Sequence, residues 1–428
     1  MNINSWKENT KMLRSCICAA VGVFAVLQAG VAAASSESVL YSFKGGTDGA
    51  MPFAGLLADT EGHLYGTLTQ GGSANSGAVF ELTPPTKANR PWTKKLLHSF
   101  KGGPKDGADP QGGLIADSLG NLYGTTVEGG SGFGTVYELI KPEPGKTAWE
   151  EKVLYVFKSG LDGSMPEGTL LLDAAGNLYG TTSEGGGGGD TTCVVGGTPV
   201  YCGTVFRLSP PAPGKTKWTE VILYSFVGGA NDAAVPRAGL IVNSNGTLFG
   251  TTQYGGSFDF GTVFSLTPPP GGHGAWTESV LLFFPAGAGV APQCTLLMDG
   301  FGNLYGTSNE SVFSVAENGQ YNLLHHFQGQ DGSSPGYAGL IMDAGGNLYS
   351  TTSAGGPNNN DDGTIFEMMP PAAGQTAWAL TVLHNFAGNP TDGQTPFAPL
   401  IMDATGTLFG TTFLGGTDNF GAVFKFVP

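Results

Sequence analysis

Apolar and polar residues alternate in short runs along this chain, and no stretch keeps a helical period over several turns. Four runs recur in a fixed order. In the cleanest copy they are Gly112 to Ala116, Leu122 to Thr126, Gly134 to Leu139 and Trp149 to Phe157. Each is rich in β-branched and aromatic residues and is bounded by Gly, Pro or Asp, which predicts strands. The first two are joined through the phrase Asp117-Ser-Leu-Gly-Asn-Leu-Tyr-Gly-Thr-Thr126, and further copies begin at Asp59, Asp173, Asn243, Asp299, Asp343 and Asp403. The fourth residue is Gly in every copy. An Asp that opens a four-residue turn accepts hydrogen bonds from backbone N–H groups two residues on, and the Gly supplies the positive φ that closes it. Each phrase therefore predicts the tip of a tight hairpin.

Seven such units, most of them roughly 55 residues apart, set the architecture. A unit of that size with four antiparallel strands is a propeller blade, so the pattern predicts an all-β, seven-bladed β-propeller. The seventh unit stops after Gly421-Ala-Val-Phe-Lys-Phe426 and lacks a fourth strand. Residues 35–43 match the fourth-strand pattern, Ser38-Val-Leu-Tyr-Ser-Phe43 resembling Val221-Ile-Leu-Tyr-Ser-Phe226, and are expected to close the ring as the outer strand of the last blade. Within fourth strands, Trp92, Trp149, Trp218, Trp276 and Trp378 each precede a Phe by eight residues. An even spacing predicts both rings on one side of the blade. Two units depart from the rule. The third carries an insertion, 185–202, and the fifth is shortened, with a hairpin turn at Glu317-Asn-Gly-Gln320.

Composition and charge narrow the setting. Residues 1–34 place Lys7, Lys11 and Arg14 before an apolar run and then Ala32-Ala33-Ala34, the layout of a cleaved secretory signal peptide, leaving one domain over 35–428. The net charge is −15. Removing a segment with three basic residues and Glu8 makes the remainder more acidic, which argues against binding a phosphate backbone. Localisation is expected to be secreted, periplasmic or at the cell surface, with no membrane attachment after cleavage and a monomeric state. In that oxidising setting Cys193 and Cys202, which bracket the insertion, are expected to pair, while Cys294 falls on an inner strand as a small apolar residue.

The recurring phrases Leu-Tyr-Ser-Phe, Asn-Leu-Tyr-Gly-Thr-Thr, Gly-Gly and Gly-Thr-Val-Phe resemble the bacterial GloVer tandem-repeat family over nearly all of residues 38–426. The resemblance implies an exported repeat protein and carries over no catalytic residue. Members often bear a C-terminal surface anchor, whereas this chain ends on a strand, with no apolar tail.

Candidate chemistry is sought where the repeat breaks. Inter-blade connections read roughly Asp-Gly-x-x-Pro, with Asp48, Asp106, Asp162, Asp331, Asp392 and a looser Asp232. A ring of carboxylates near a central channel would attract a cation, but recurrence in blade after blade favours a turn-capping role. Tyr254, Phe258, Asp259 and Phe260, together with Asp190 and Tyr201 in the insertion and Asp361 and Asp362 after an Asn run, are the non-repeated candidates for binding a ligand such as a sugar ring. The stretch from Asn358 to Asp362 departs from a calcium loop, Glu367 standing two places early. His98, His325 and His384 take the place of Tyr41, Tyr155 and Tyr224. No zinc-protease helix or phosphate loop occurs, and no metal or cofactor is expected. The reading is an exported, non-enzymatic propeller binding an extracellular protein or glycan through one face. The alternatives are a carbohydrate-active hydrolase or lyase with carboxylates at the channel mouth, for which Glu128, Glu167 and Glu184 fall in or near face loops, and a structural surface or matrix component.

Overall fold

The computed structural model describes residues 35–87, 90–187, 193–195, 198–200, 202–272, 274–285, 291–316, 318–357 and 361–428. Residues 1–34, where a signal peptide is expected, and Asp190, Tyr201 and part of the Asn run lie outside the described residues. Seven four-stranded antiparallel sheets form the blades of a β-propeller, with strands over 57–99, 115–156, 171–225, 241–283, 297–326 and 341–385 for blades 1 to 6. Blade 7 combines residues 401–427 with the outer strand Ser36–Ser42, which pairs antiparallel with Ala422–Val427. The ring is closed by the strand that the sequence placed there. Among the described residues, no helix is long and apolar enough to cross a membrane.

Each part of the recurrent phrase has a physical task. Asp117 Oδ1 accepts the N–H groups of Leu119 and Asn121, and Gly120 adopts φ 83°. The Tyr of the phrase turns back to the same carboxylate, as in Tyr123 to Asp117 and Tyr179 to Asp173. The following Gly leaves room for an aromatic ring on the third strand. A Cβ on Gly180 would sit 2.6 Å from Phe206 Cζ, and the same holds for Gly66 and Phe80. The first Thr donates its hydroxyl to a carbonyl just before the inner strand of the next blade: Thr125 to Gly168 at 3.3 Å, Thr181 to Ala238 at 2.9 Å, and Thr411 to Ala54 at 3.2 Å across the closure. The second Thr pairs inside its own blade, Thr182 with Thr204 at 2.8 Å. In blade 7 the corresponding partner is Ala422, and Thr412 Oγ1 is left buried with no hydrogen bond.

These neighbour contacts explain why the inner strands are shorter than their apolar runs. Only Ile115–Ala116 of the predicted Gly112–Ala116 strand joins the ladder of blade 2. The Gly112 carbonyl accepts Thr67 Oγ1 instead, and the Gly113 N–H donates to Thr169 Oγ1 at 3.0 Å.

The eight-residue Trp–Phe ruler does not keep one side. In every outer strand the register slips once: Val136 faces Tyr155 but Tyr137 faces Val153, so Leu154 is an unpaired bulge residue. The bulged position is a leucine in each blade, including Leu40, Leu97, Leu223 and Leu383. One extra residue reverses side-chain parity. Trp149 consequently packs against blade 1 beside Tyr65, while Phe157 packs on Phe206 of blade 3. Such edge-to-face pairs recur at each seam, with Phe43–Phe80 at 5.2 Å and Phe386–Phe424 at 5.2 Å flanking the last blade. Each contributes about 0.5–1.5 kcal/mol beyond its buried area.

In the insertion, Cys193–Val195 pairs with Thr198–Val200, and a Cys193–Cys202 disulfide joins Cα atoms 5.3 Å apart. Cys294 is buried against Thr307, and burial pushes its thiol pKa up.

Candidate functional site

The inter-blade connections and the loops between second and third strands share one face, where they are stitched together in pairs such as Gly107–Ala108 with Glu128–Gly129 and Gly393–Gln394 with Leu414–Gly415. The entry carboxylates lie at the outer seams on this side, away from the channel. Asp106 accepts the Lys101 and Gly107 N–H groups and meets His98 Nε2 at 3.3 Å. Asp48 is reached by Tyr41, and Asp162 and Asp232 by Tyr155 and Tyr224. Asp331 and Asp392 are reached by His325 and His384. Tyr and His thus exchange at one position because each brings an N–H or O–H to the same carboxylate.

A further acidic position flanks four of these seams. Glu37, Glu151, Glu220 and Glu278, on the following outer strand, are half-buried with Oε1 unpartnered. Burial first, then the nearby entry Asp, pushes each up to about 7. At the seam of Asp48 the equivalent residue is Lys94, whose Nζ lies 2.6 Å from Asp48 Oδ1. Two seams therefore gather metal-ligand chemistry, His98 with Asp106 and Glu151, and His384 with Asp392 and Glu37, their ligand atoms within 4.8 Å of one another.

The loop candidates fall into separate places. Asp259 Oδ1 accepts the Gly255 N–H and Asp361 Oδ1 that of Gly355, the turn-closing role that Asn75 and Asn419 fill in other blades. All four take positive φ, so these two Asp residues belong to the repeat. Tyr254 packs partly buried against the core shared by blades 3 and 4, and Phe260 stacks on the exposed Phe258 at 6.0 Å. Asp362 is buried, its pKa raised by burial and by Asp361 and Asp392. None of these residues lines the central channel.

The channel mouth has residues that the sequence reading did not single out as a set. A cavity of about 290 Å³ opens there, walled by all seven blades. The residue after the Pro of each connection, or in blade 6 the second one after it, lines this cavity, and its identity varies where the rest repeats. Blades 2 to 5 contribute Gln111, Glu167, Arg237 and Gln293, and blades 6, 7 and 1 contribute Tyr337, Phe397 and Phe53. The aromatic arc is continuous: Tyr337 and Phe397 at 5.3 Å, Phe53 and Phe397 at 5.4 Å, with Phe413 edge-on to Phe397 at 5.5 Å. Opposite it, Arg237 Nη1 bonds Glu167 Oε2 at 2.5 Å and Nε bonds Gln253 at 2.7 Å, while Ser183 donates to Glu167 Oε1 at 2.6 Å. Gln111 donates to Asp109 at 2.8 Å. Burial, with Glu128 and Glu167 nearby, raises the Asp109 pKa, and burial beside Glu167 raises that of Glu184. The available signal was the variable residue after an otherwise repeated Pro.

The Gloeobacter/Verrucomicrobia repeat matches residues 25–194 and 279–428. No curated protein matches the chain. Among solved structures, a puromycin-hydrolysing peptidase of Mycobacterium tuberculosis is similar at TM-score 0.52 and 13% identity, over 88% of this chain and 52% of that one. The extracellular domain of a one-component system of B. thetaiotaomicron gives TM-score 0.49 and 10% identity, over 90% of this chain but only 39% of its own length. A gluconolactonase of Xanthomonas campestris gives 0.42 and 14%, over 81% and 89%. At these identities the likeness concerns the fold alone.

Proposed function

The chain belongs to the Gloeobacter/Verrucomicrobia repeat family, and from that premise we propose that it is an exported propeller that binds an extracellular partner at the channel mouth without transforming it. One observation carries the reading. In a ring built from repeated phrases, the mouth position divides into an aromatic arc and a polar arc. Seven blades need no such asymmetry to pack, whereas a ligand that enters a concave site does. The disulfide in the insertion supports export, since such bonds persist in oxidising compartments.

Binding to the mature protein is measured against peptide and glycan panels, with Tyr337→Ala and Phe397→Ala compared with Phe258→Ala on the outlying loop. Loss with the first two and retention with the third is expected. A ligand lost only with Phe258→Ala would move the site to the blade 4 loop.

Hydrolysis has one observation in its favour. Asp109 is held towards its protonated form while Glu167 is fixed by Arg237, so two neighbouring carboxylates have unlike environments. Turnover of any panel glycan that disappears in Asp109→Asn, with binding kept, would establish this reading instead.

A further inference from the structure

Resting on the mouth as the binding site, we propose that its ligand presents a primary ammonium or guanidinium group. Much of the donor capacity at the mouth is already engaged: Arg237 Nη1 goes to Glu167, Arg237 Nε to Gln253, and the Gln111 amide to Asp109. Buried acceptor capacity stays open. Gln293 lines the cavity, is only 7% exposed, and its Oε1 has no hydrogen-bond partner. A buried acceptor without a donor costs free energy, which a ligand N–H would recover.

Charge points the same way. Glu167 is neutralised by Arg237, while Asp109, bonded to the lining Gln111, and Glu184, beside Glu167, stand behind the lining with no salt bridge among the described residues. An anion would be repelled from this rim. A neutral sugar would cover the carboxylates without supplying a counter-charge. On the far side, Phe53, Tyr337 and Phe397 offer ring surface, which attracts a cation and the apolar stem that bears it. A cavity of about 290 Å³ admits a side chain or one sugar ring rather than a folded element.

The group has two possible carriers, a Lys or Arg side chain in a peptide and an amino sugar, and paired probes separate them. Calorimetric titration of the mature protein at pH 7.5 and low salt uses Gly-Lys-Gly and Gly-Arg-Gly beside acetyl-lysine peptide, and glucosamine oligomers beside their N-acetylated forms. The charged member of at least one pair is expected to bind about ten-fold more tightly than its neutral partner, the scale of a cation–π contact with one charge. Gln293→Leu and Asp109→Asn should each remove much of that preference, and Phe53→Leu serves if Gln293→Leu does not fold. Equal binding of charged and acetylated probes, with mouth variants still weakening both, overturns the cationic ligand and leaves the mouth as the site. Binding indifferent to every mouth substitution overturns the site itself. Absence of binding by all charged probes at millimolar concentration also overturns the proposal.

Discussion

Raising the pH from 5 to 8 is expected to loosen the ring. The seam residues Glu37, Glu151, Glu220 and Glu278 hold protons up to about pH 7 in the folded protein, against 4.5 for an ordinary Glu. The folded state thus binds more protons than the unfolded chain between these values, and stability falls as pH rises through them. Fully desolvated, such a shift would correspond to about 3 kcal/mol per group. These side chains are only half-buried, and solvent screening brings the figure to about 1 kcal/mol each, or about 4 kcal/mol for four seams. With an unfolding entropy near 0.8 kcal/mol/K for a domain of this size, Tm should drop by about 5 °C. Turn carboxylates such as Asp117 and Asp173 act in the other direction. Backbone and Asn hydrogen bonds outweigh burial and lower their pKa values, so their contribution is lost only as pH falls below about 4. Scanning calorimetry of residues 35–428 should therefore show a maximum in Tm near pH 4–5. The combined variant Glu37→Gln, Glu151→Gln, Glu220→Gln and Glu278→Gln should flatten the fall above it. A Tm that is constant or rises from pH 5 to 8 would refute the reasoning.

Other outcomes follow from single contacts. Thr411→Val removes the hydroxyl bonded to the Ala54 carbonyl and should cost about 1–3 kcal/mol in denaturant unfolding, because the buried carbonyl is left unpaired. Ala422→Thr offers a partner to the orphaned Thr412 hydroxyl and should raise stability by about 1 kcal/mol, copying the Thr182–Thr204 pair; a destabilised variant would mean the site lacks room. Deleting residues 36–42 exposes the edge at Ala422–Val427, and size-exclusion chromatography should show association or a much lower Tm. Reducing Cys193–Cys202 should raise hydrogen exchange in the insertion ribbon while exchange in the blade strands stays as before.

The architecture was legible because each blade repeats residues whose roles are local: Asp117 and Gly120 make a turn wherever they occur together. Closure was legible for the same reason, Ser38 to Phe43 being recognisable as an outer strand. The outer-strand bulge was hidden, since Leu154 reads as one more apolar residue in an apolar run and the parity change depends on its partner across the ladder. The loop candidates misled in a different way. Asp259 stands beside aromatics and looks distinctive, yet it does what Asn75 does elsewhere, because Asp and Asn both tolerate positive φ and accept a turn N–H. Gln111, Arg237 and Gln293 escaped notice, and Glu167 was legible only as one carboxylate in or near a face loop, because the four are far apart in sequence and only the ring brings them to one cavity.

The clasp at blade 7 also governs how the molecule is made. Ser36 pairs with Val427, and Thr411 bonds Ala54, so the earliest strand of the domain must wait for the latest before either edge is satisfied. Loop-closure entropy for that pairing is paid over nearly the whole domain, which makes it a slow, high-contact-order step. Blades 1 to 6 contain their own hairpins and can form as the chain emerges, but the finished ring cannot exist on a partly made chain. A propeller clasped this way keeps two open strand edges until its last strand is made, and becomes a rigid ring only with that final pairing.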